Sequence, residues 1–399
     1  MPLAVYVLGL SIFAQGTSEF MIAGLLPELS ADLRVSIPEA GLLISAFAVG
    51  MLVGAPTLAV ITVRWPRRRA LVSFLAIFVI THVAGALAPN YGVLFGARIV
   101  SAFVYAGFWA VATVTTIGLV PVGSRGRAMG VVAGGLTVAT VVGLPVGTLV
   151  GQQFGWRTAF LAVAALCAFA VVGVLAAVPN GHADSRERPR LRDELWGMVN
   201  PRLWLAYAAT ALTTCASLVT FSYLAPLLTM AAGLPGGWVP AILALYGFGT
   251  FLGITIGGRT ADAHPFGTLY VGVAGIVALS AALALAGHRP GVTVVLVFLL
   301  GAAGFAINPA LNARVFSLAT KAPTLAASTS VSAFNAGIVV GPWLGGLAIG
   351  AGFGYLSVAW IGAALAVLAL GTVVAASRGD SGPASGHSTR QVSASDGAR

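Results

Sequence analysis

Charged residues are scarce in this chain. Asp, Glu, Lys and Arg make up 8% of its 399 residues, whereas hydrophobic residues make up 58%. The mean hydropathy is correspondingly high, at +0.96. Soluble globular domains carry about 25% charged residues. The composition therefore excludes that class and predicts a membrane protein.

Lysine and cysteine are nearly absent, and each scarcity excludes a class of function. The only lysine, Lys321, is followed by Ala322, so the chain lacks the Gly-Lys-Ser/Thr ending of a nucleotide-binding loop and is not expected to use ATP directly. The two cysteines, Cys167 and Cys215, lie inside apolar runs and indicate neither a disulfide framework nor a metal site. We expect no metal, no cofactor and no enzymatic activity.

Long apolar runs dominate the chain. Each is continuous and long enough to cross ~30 Å of hydrocarbon at ~1.5 Å per residue, which favours helices over the short alternating strands of a membrane barrel. The runs occupy residues 3–26, 38–61, 70–88, 91–120, 128–150, 158–178, 204–230, 238–258, 267–286, 291–313, 324–350 and 355–376. The predicted fold class is therefore an all-α membrane protein with twelve transmembrane helices.

The basic residues predict the orientation. With the amino terminus in the cytoplasm, the inner loops and tail hold 17 of the 21 basic residues, and the outer loops hold only Arg34, Arg157 and Arg289. This distribution follows the positive-inside rule and predicts a multi-pass protein of the cell (inner or plasma) membrane with both termini cytoplasmic. The net charge of +10 then reflects topology, so no nucleic-acid partner is expected.

The chain divides near its middle. Residues 1–178 and 204–376 each hold six predicted helices, and the polar segment 179–203 between them is predicted to be a cytoplasmic linker. The Ser/Gly/Ala-rich segment 377–399 is predicted to be a disordered cytoplasmic tail.

The two halves repeat. At an offset of 199 residues, Pro27 falls on Pro226 and Gly54 on Gly253. Two six-helix halves related in this way are typical of transporters whose binding site lies between the repeats near the bilayer midplane. The predicted fold is thus two six-helix pseudo-repeats.

Two charged residues lie well inside predicted spans, Glu19 in the first and Arg98 in the fourth. An ionised side chain at that depth costs roughly 2.5 to 3.5 kcal/mol, so each is a candidate functional residue. Each lies seven residues from the outer end of its apolar run, about 10 Å deep, and we expect them to form the proton-coupling site. Gln15 and Tyr105 share helical faces with them and are candidate substrate contacts. The structural alternative is a buried pair that only fixes helix register.

Weaker candidates surround this pair. His82, near the outer end of the third run, is expected to be a packing or headgroup-level residue rather than a proton relay. Aromatic residues such as Phe108 are candidates for contact with an apolar ligand, and Asn335 is a candidate polar contact from the second half.

Three local motifs resemble a known family. TSEFMIAGLLPEL (17–29), LFGARIVSAFVYAGF (94–108) and GLPVGTLVGQQFGWRTAF (143–160) are similar to the first-, fourth- and fifth-helix motifs of drug:proton antiporters in the major facilitator superfamily. The resemblance extends over residues 1–376. The fifth-helix motif is similar to that of the sugar-exporter branch, and the amino-terminal region looks especially like chloramphenicol-resistance exporters.

The resemblance implies roles for particular residues. It assigns proton coupling to Arg98. The small-residue face of the fifth-helix motif, with Gly143, Pro145 and Gly147, is a candidate surface for sliding as the halves rock, and tight static packing is the alternative. The family's charged loop after the second helix is only partly matched here. Arg64, Arg67 and Arg68 match, but Val63 stands where the family has Asp, so the implied cytoplasmic latch depends on Asp262 of the second half.

The sequence thus predicts a secondary transporter that works by alternating access. It would export a small hydrophobic drug, with chloramphenicol as the first candidate, in exchange for protons, and so confer antibiotic resistance by efflux. It would be driven by the proton gradient and function as a monomer in the lipid bilayer. The alternatives are a proton-coupled exporter of sugars or nucleosides and a membrane receptor or sensor built on a transporter fold.

Overall fold

The computed structural model describes residues 1–61, 65–180, 198–319 and 323–380. Within these ranges the regular elements are all helical, and twelve helices are long and apolar enough to span a membrane, as predicted. They are α1 (Leu3–Leu33), α2 (Ile37–Ile61), α3 (Arg67–Ala86), α4 (Tyr91–Gly118), α5 (Val122–Phe154), α6 (Trp156–Ala177), α7 (Pro201–Ser222), α8 (Val239–Ala263), α9 (Pro265–Ala286), α10 (Pro290–Leu318), α11 (Pro323–Gly350) and α12 (Ser357–Asp380).

Some predicted features lie outside these ranges. They are the gating candidate Arg64, residues 181–197 of the predicted linker and residues 381–399 of the predicted tail. Helix α12 ends at Asp380, so the first residues of the predicted tail are helical.

Helix α1 is longer than the apolar run that predicted it. The run ended at residue 26, whereas the helix continues to Leu33. The added turns carry acidic side chains that form hydrogen bonds with residues distant in the sequence. Asp32, for example, accepts a hydrogen bond of 2.9 Å from the indole Nε1 of Trp156. Glu19 is therefore 14 residues from the end of its helix, not seven, and lies near the helix middle.

The second six helices repeat the contacts of the first six, which confirms the predicted pseudo-repeat. In the first half α1 packs on α5 and α6, α2 packs on α4, and α3 packs on α4 and α6. In the second half α7 packs on α11 and α12, α8 packs on α10, and α9 packs on α10 and α12. The halves meet where α2 packs on α11 and where α5 packs on α8.

Small residues permit close helix contacts at equivalent places in the two halves. A Cβ atom added to Gly54 of α2 would lie 2.9 Å from Cα of Phe103 on α4. At the repeat position in α8, a Cβ added to Gly253 would lie 3.0 Å from Cα of Ala302 on α10. Both distances are shorter than a normal carbon contact, so these helices approach each other only because the residues are glycine.

Three helices are interrupted or end close to a proline. Helix α5 has a π turn at Ala139–Gly143 just before Pro145, and α7 is followed by a π turn at Leu227–Ala231 just after Pro226. Helix α10 breaks at Ile307, before a segment with proline in its first turn. Proline donates no backbone hydrogen bond, so the helix loses an i to i−4 link and its path changes there.

Candidate functional site

A cavity of about 200 Å³ lies between the two halves, and Glu19 is on its wall. In the first half the other lining residues come from α2, α4 and α5, and they include Tyr105 and Trp109. These two rings lie 6.5 Å apart, nearly perpendicular to each other. Glu19 is half-buried, and it is the one acidic or basic side chain among the cavity's described lining residues. An apolar and aromatic wall with one carboxylate suits an apolar ligand and a proton.

The second half supplies a more polar wall, which we call the amide wall and which consists of Asn308, Asn312, Ser330 and Asn335. The Ser330 hydroxyl donates to Oδ1 of Asn312 over 3.4 Å, and the Asn312 amide donates to the Asn308 carbonyl over 3.1 Å. Amide and hydroxyl groups can donate to and accept from neutral polar groups of a ligand. The cavity therefore presents two chemically different walls.

Contacts on one side of the cavity join the two halves. We call the side that holds loop 34–36 the first-loop side and the opposite side the termini side. On the first-loop side, the Tyr223 ring packs across the halves against Gly41 of α2, and its hydroxyl donates to the Pro342 carbonyl of its own half over 2.7 Å. The Ser45 hydroxyl also donates across the halves to the Val339 carbonyl over 2.8 Å. The cavity lies on the termini side of these contacts.

Arg98 lies behind Glu19 rather than in the cavity. Its side chain is 1% exposed, and its Nη1 donates to the Ser18 hydroxyl over 2.8 Å and to the Ser18 carbonyl over 3.1 Å. The guanidinium carbon lies 4.1 Å from the centre of the Phe47 ring. Among the described residues the one ion pair within 4.0 Å joins Arg157 to Asp32, so Glu19 and Arg98 are not in direct contact.

Two further residues of this region are Ser18, which no sequence pattern indicated, and His82, which was expected to be a packing or headgroup-level residue. Ser18 and His82 are both buried, and the Ser18 hydroxyl lies 2.5 Å from Nε2 of His82. The His82 ring stacks on Phe78 with centres 4.1 Å apart. His82 thus packs in the protein interior beside Ser18. One signal was available in the sequence, because no other histidine lies inside a predicted span.

The predicted substrate contacts separate into two groups. Glu19, Tyr105 and Asn335 line the cavity. Gln15 and Phe108 are fully buried and do not line it in this state. The amide of Gln15 donates to the carbonyl of its own helix, at Ser11, over 3.2 Å. Sharing a helical face with Glu19 or lying near Arg98 in sequence was not enough to bring these two to the cavity.

The glycine face of α5 packs inside the first half. Gly143 lies against Thr17 of α1, and a Cβ added to Gly147 would lie 3.0 Å from Cβ of Met21 on the same helix. Pro145 is buried between them. In this state Gly143 and Gly147 therefore form a tight contact between α5 and α1.

The contact of α5 with the second half comes from a neighbouring turn. A Cβ added to Gly247 of α8 would lie 2.8 Å from Cα of Val141, and the Thr140 and Thr250 hydroxyls are 3.4 Å apart. The π turn of α5 therefore faces the other half.

The two described latch candidates lie at helix ends on the termini side. Arg68 is half-buried in the first turn of α3, and Asp262 is exposed near the end of α8. Neither is part of the cavity wall. In the described part of the chain no cluster of three or more His, Cys, Asp or Glu side chains is arranged to hold a metal ion.

Comparison with known proteins identifies the family. The family model described as Major Facilitator Superfamily matches residues 8–332. The chain belongs to the Major Facilitator Superfamily. It is a multi-pass membrane transporter of that superfamily, and the resemblance expected from its motifs is confirmed.

Several curated relatives match most of the chain. It is 42% identical over 372 residues to a chloramphenicol resistance protein of Streptomyces lividans. This match covers 93% of this chain and 95% of the relative. It is 35% identical over 334 residues to the inner membrane transport protein YdhP of Escherichia coli (strain K12), covering 84% and 85%. The uncharacterized MFS-type transporter YtbD of Bacillus subtilis (strain 168) is 34% identical over 374 residues, covering 91% and 92%.

Solved structures share the superfamily fold. A bacterial homolog of the human lysosomal transporter Spinster, in an inward-facing and occupied conformation, superposes with a TM-score of 0.71 at 18% identity. The match covers 94% of this chain and 96% of that one. The same homolog in an unoccupied inward-facing conformation gives a TM-score of 0.69. These likenesses show the fold.

Proposed function

We propose that this transporter exports a hydrophobic drug, chloramphenicol first, in exchange for protons. The observation that carries the proposal is the placement of Glu19, a carboxylate on the cavity wall with Arg98 buried behind it. The 42% identity to a chloramphenicol resistance protein supports the choice of substrate. The aromatic wall of Tyr105 and Trp109 suits the aromatic ring of such a drug.

The proposed orientation has both termini in the cytoplasm of a cell-membrane protein. The cavity, which lies on the termini side of the contacts between the halves, then faces the cytoplasm in this state. The two six-helix halves, 1–178 and 204–376, rock about the cavity in a single functional chain, with Arg68 and Asp262 as parts of a cytoplasmic latch and the α5 face of Gly143 to Gly147 as a helix contact that adjusts.

Exchange follows if proton and drug occupy the cavity at different times. With the cavity facing the cytoplasm, Glu19 releases its proton and the drug binds. After the halves rock, the drug leaves on the outer side and Glu19 takes up a proton, which returns inward. Each charge that moves across 100 mV contributes ~2.3 kcal/mol, so the proton gradient supplies the work and no bound cofactor is required.

Drug susceptibility tests the proposal. A host without its own efflux pumps should gain chloramphenicol resistance when it expresses this chain, and Glu19→Gln should abolish the gain. Glu28→Gln is a matched control, because Glu28 is a half-buried glutamate of the same helix that does not line the cavity. Resistance that persists in full with Glu19→Gln would contradict the proposed proton site.

The amide wall favours a second candidate, a proton-coupled exporter of sugars or nucleosides. Such substrates need several neutral hydrogen-bonding groups, and Asn308, Asn312 and Asn335 supply them on one side of the cavity. Unchanged susceptibility to chloramphenicol and other drugs, together with faster efflux of a labelled sugar or nucleoside from the same cells, would favour this candidate over the drug.

A further inference from the structure

A buried chain of hydrogen bonds runs from Arg98 through three other residues. Arg98 Nη1 donates to the Ser18 hydroxyl over 2.8 Å. The Ser18 hydroxyl lies 2.5 Å from His82 Nε2, and His82 Nδ1 lies 2.9 Å from the carbonyl oxygen of Phe78. Ser18, His82 and Arg98 are each no more than 1% exposed. The chain joins α4, α1 and α3 in the protein interior.

The chemistry of the four groups determines where the hydrogens lie. The Phe78 carbonyl can only accept, so His82 Nδ1 carries a hydrogen. The Arg98 guanidinium can only donate, so the Ser18 oxygen accepts from it and the single Ser18 hydrogen is directed to His82 Nε2. His82 is then neutral and acts as the acceptor for Ser18. Every bond in the chain is satisfied when His82 has this form.

This chain holds Arg98 on the hydroxyl of Ser18, the residue next to Glu19, and Arg98 Nη1 also donates to the Ser18 carbonyl over 3.1 Å. Arg98 and Glu19 interact through space, but they do not form an ion pair within 4.0 Å. The Nε and Nη2 atoms of Arg98 are buried without a hydrogen-bond partner among the described residues. The guanidinium therefore has unused donors while it is bonded to Ser18, and the carboxylate of Glu19 is an acceptor of opposite charge that could satisfy them.

Few other groups around Arg98 could influence whether its guanidinium bonds to Ser18 or to Glu19. Helix α2 contributes Phe47, whose ring contacts the Arg98 guanidinium, and α6 contributes Phe160, whose ring centre lies 5.6 Å from that of His82. Among the described residues, Tyr105 of α4 lies within electrostatic range of Glu19, and Cys167 of α6 lies within electrostatic range of Tyr105. The charges that decide the position of the guanidinium are therefore those of Arg98 and Glu19.

We propose that His82, acting through Ser18, is a positioning residue that holds Arg98 away from Glu19 and so sets the pH range in which Glu19 exchanges its proton. This inference rests on the proposed role of Glu19 as the proton site. While Arg98 is held, Glu19 keeps its proton more easily. When the anchor is lost, Arg98 can pair with Glu19 and favour its ionised form, because an opposite charge at contact distance stabilises the carboxylate.

Infrared titration of the purified full-length protein tests the proposal without a ligand. The C=O stretch of protonated Glu19 is assigned as the band that disappears in Glu19→Gln, and its intensity is followed against pH. His82→Ala should move the midpoint of this band by about one to three pH units toward acid, the effect of bringing an opposite charge to a carboxyl group. Thr81→Ala is the matched control, because Thr81 also bonds to the Phe78 carbonyl but is not part of the chain.

Two further variants separate positioning from general disruption. His82→Gln retains an acceptor for the Ser18 hydroxyl and should restore a midpoint near that of the unmodified protein. Ser18→Ala breaks the same chain at another point, so it should shift the midpoint toward acid even if His82→Ala fails to fold. Midpoints of His82→Ala and Ser18→Ala that coincide with the unmodified protein would overturn the proposal.

Drug transport distinguishes this inference from the proposed function. An acid shift of the Glu19 band in a protein that moves no chloramphenicol would support the positioning role and refute the drug as substrate. Loss of all pH-dependent transport in His82→Ala, with an unshifted Glu19 band, would overturn the positioning role, because it would make His82 a proton carrier.

Discussion

Replacing Gly41 with alanine should shift the protein toward the state in which the first-loop side is open. A Cβ at position 41 would lie 2.7 Å from Cζ and 2.8 Å from Cε1 of Tyr223. Carbon atoms at optimal contact are about 3.5 to 4.0 Å apart. The Tyr223 ring is fully buried and its hydroxyl is bonded to the Pro342 carbonyl, so the ring has no free space to move into. The extra methyl group therefore opposes the contact between the halves.

The expected size of the effect follows from that overlap. Overpacking by one methyl group costs about 1 to 3 kcal/mol. Here the cost falls only on the state in which Tyr223 contacts Gly41, so it changes the ratio of the two states by about 5- to 150-fold. The greater helix propensity of alanine is worth about 0.5 to 1 kcal/mol, but it is present in both states and leaves the ratio unchanged.

Distances between spin labels measure this ratio. Labels at Ala31→Cys and Ala351→Cys are suitable, because both positions are exposed and lie on the first-loop side in different halves. Gly41→Ala should move a large part of the distance distribution to longer values. Gly96→Ala is the control, since a Cβ there meets no atom within 4 Å. Identical distributions for the two folded variants would refute the argument from Tyr223 packing.

Two further predictions concern the cavity and the protein surface. Asn335→Ala removes an amide from the cavity wall and should raise the chloramphenicol KM by about 2- to 12-fold, the value of one hydrogen bond of ~0.5–1.5 kcal/mol; an unchanged KM in initial-rate uptake would remove Asn335 from the binding site. Asp32→Asn should change the free energy of unfolding by at most about 1 kcal/mol, because Asp32 and Arg157 are 44% and 42% exposed and exposed ion pairs contribute little. A loss of several kcal/mol in denaturant unfolding would contradict this estimate.

The fold was largely predictable because a membrane restricts the choice of structure. A backbone in hydrocarbon must satisfy its own hydrogen bonds, so long apolar runs become helices and their number can be counted from the sequence. The end of α1 was predicted seven residues too early, because the polar residues after position 26, Asp32 among them, lower the hydropathy although the helix continues. The partner of Asp32, Trp156, lies 124 residues away, and no local pattern indicates it.

The two charged residues of the site were predictable, but their position along the helix and their contacts were not. Glu19 and Arg98 were identified because ionised side chains are rare in apolar runs. The rotation of each helix about its axis determines which side chains reach the cavity, and this depends on packing partners that one sequence does not reveal. Gln15 and Phe108 therefore turned out to be buried, and the contact of His82 with Ser18 was missed.

Proton-driven uptake and drug exchange, compared in the same proteoliposomes, test the central claim most directly. Exchange of labelled for unlabelled chloramphenicol requires the cavity and its alternation, but no net proton movement. Accumulation driven by an imposed pH gradient requires a proton site as well. Glu19→Gln should retain exchange and lose accumulation, whereas Glu28→Gln should retain both. Full pH-driven accumulation by Glu19→Gln would contradict the claim that Glu19 couples proton and drug.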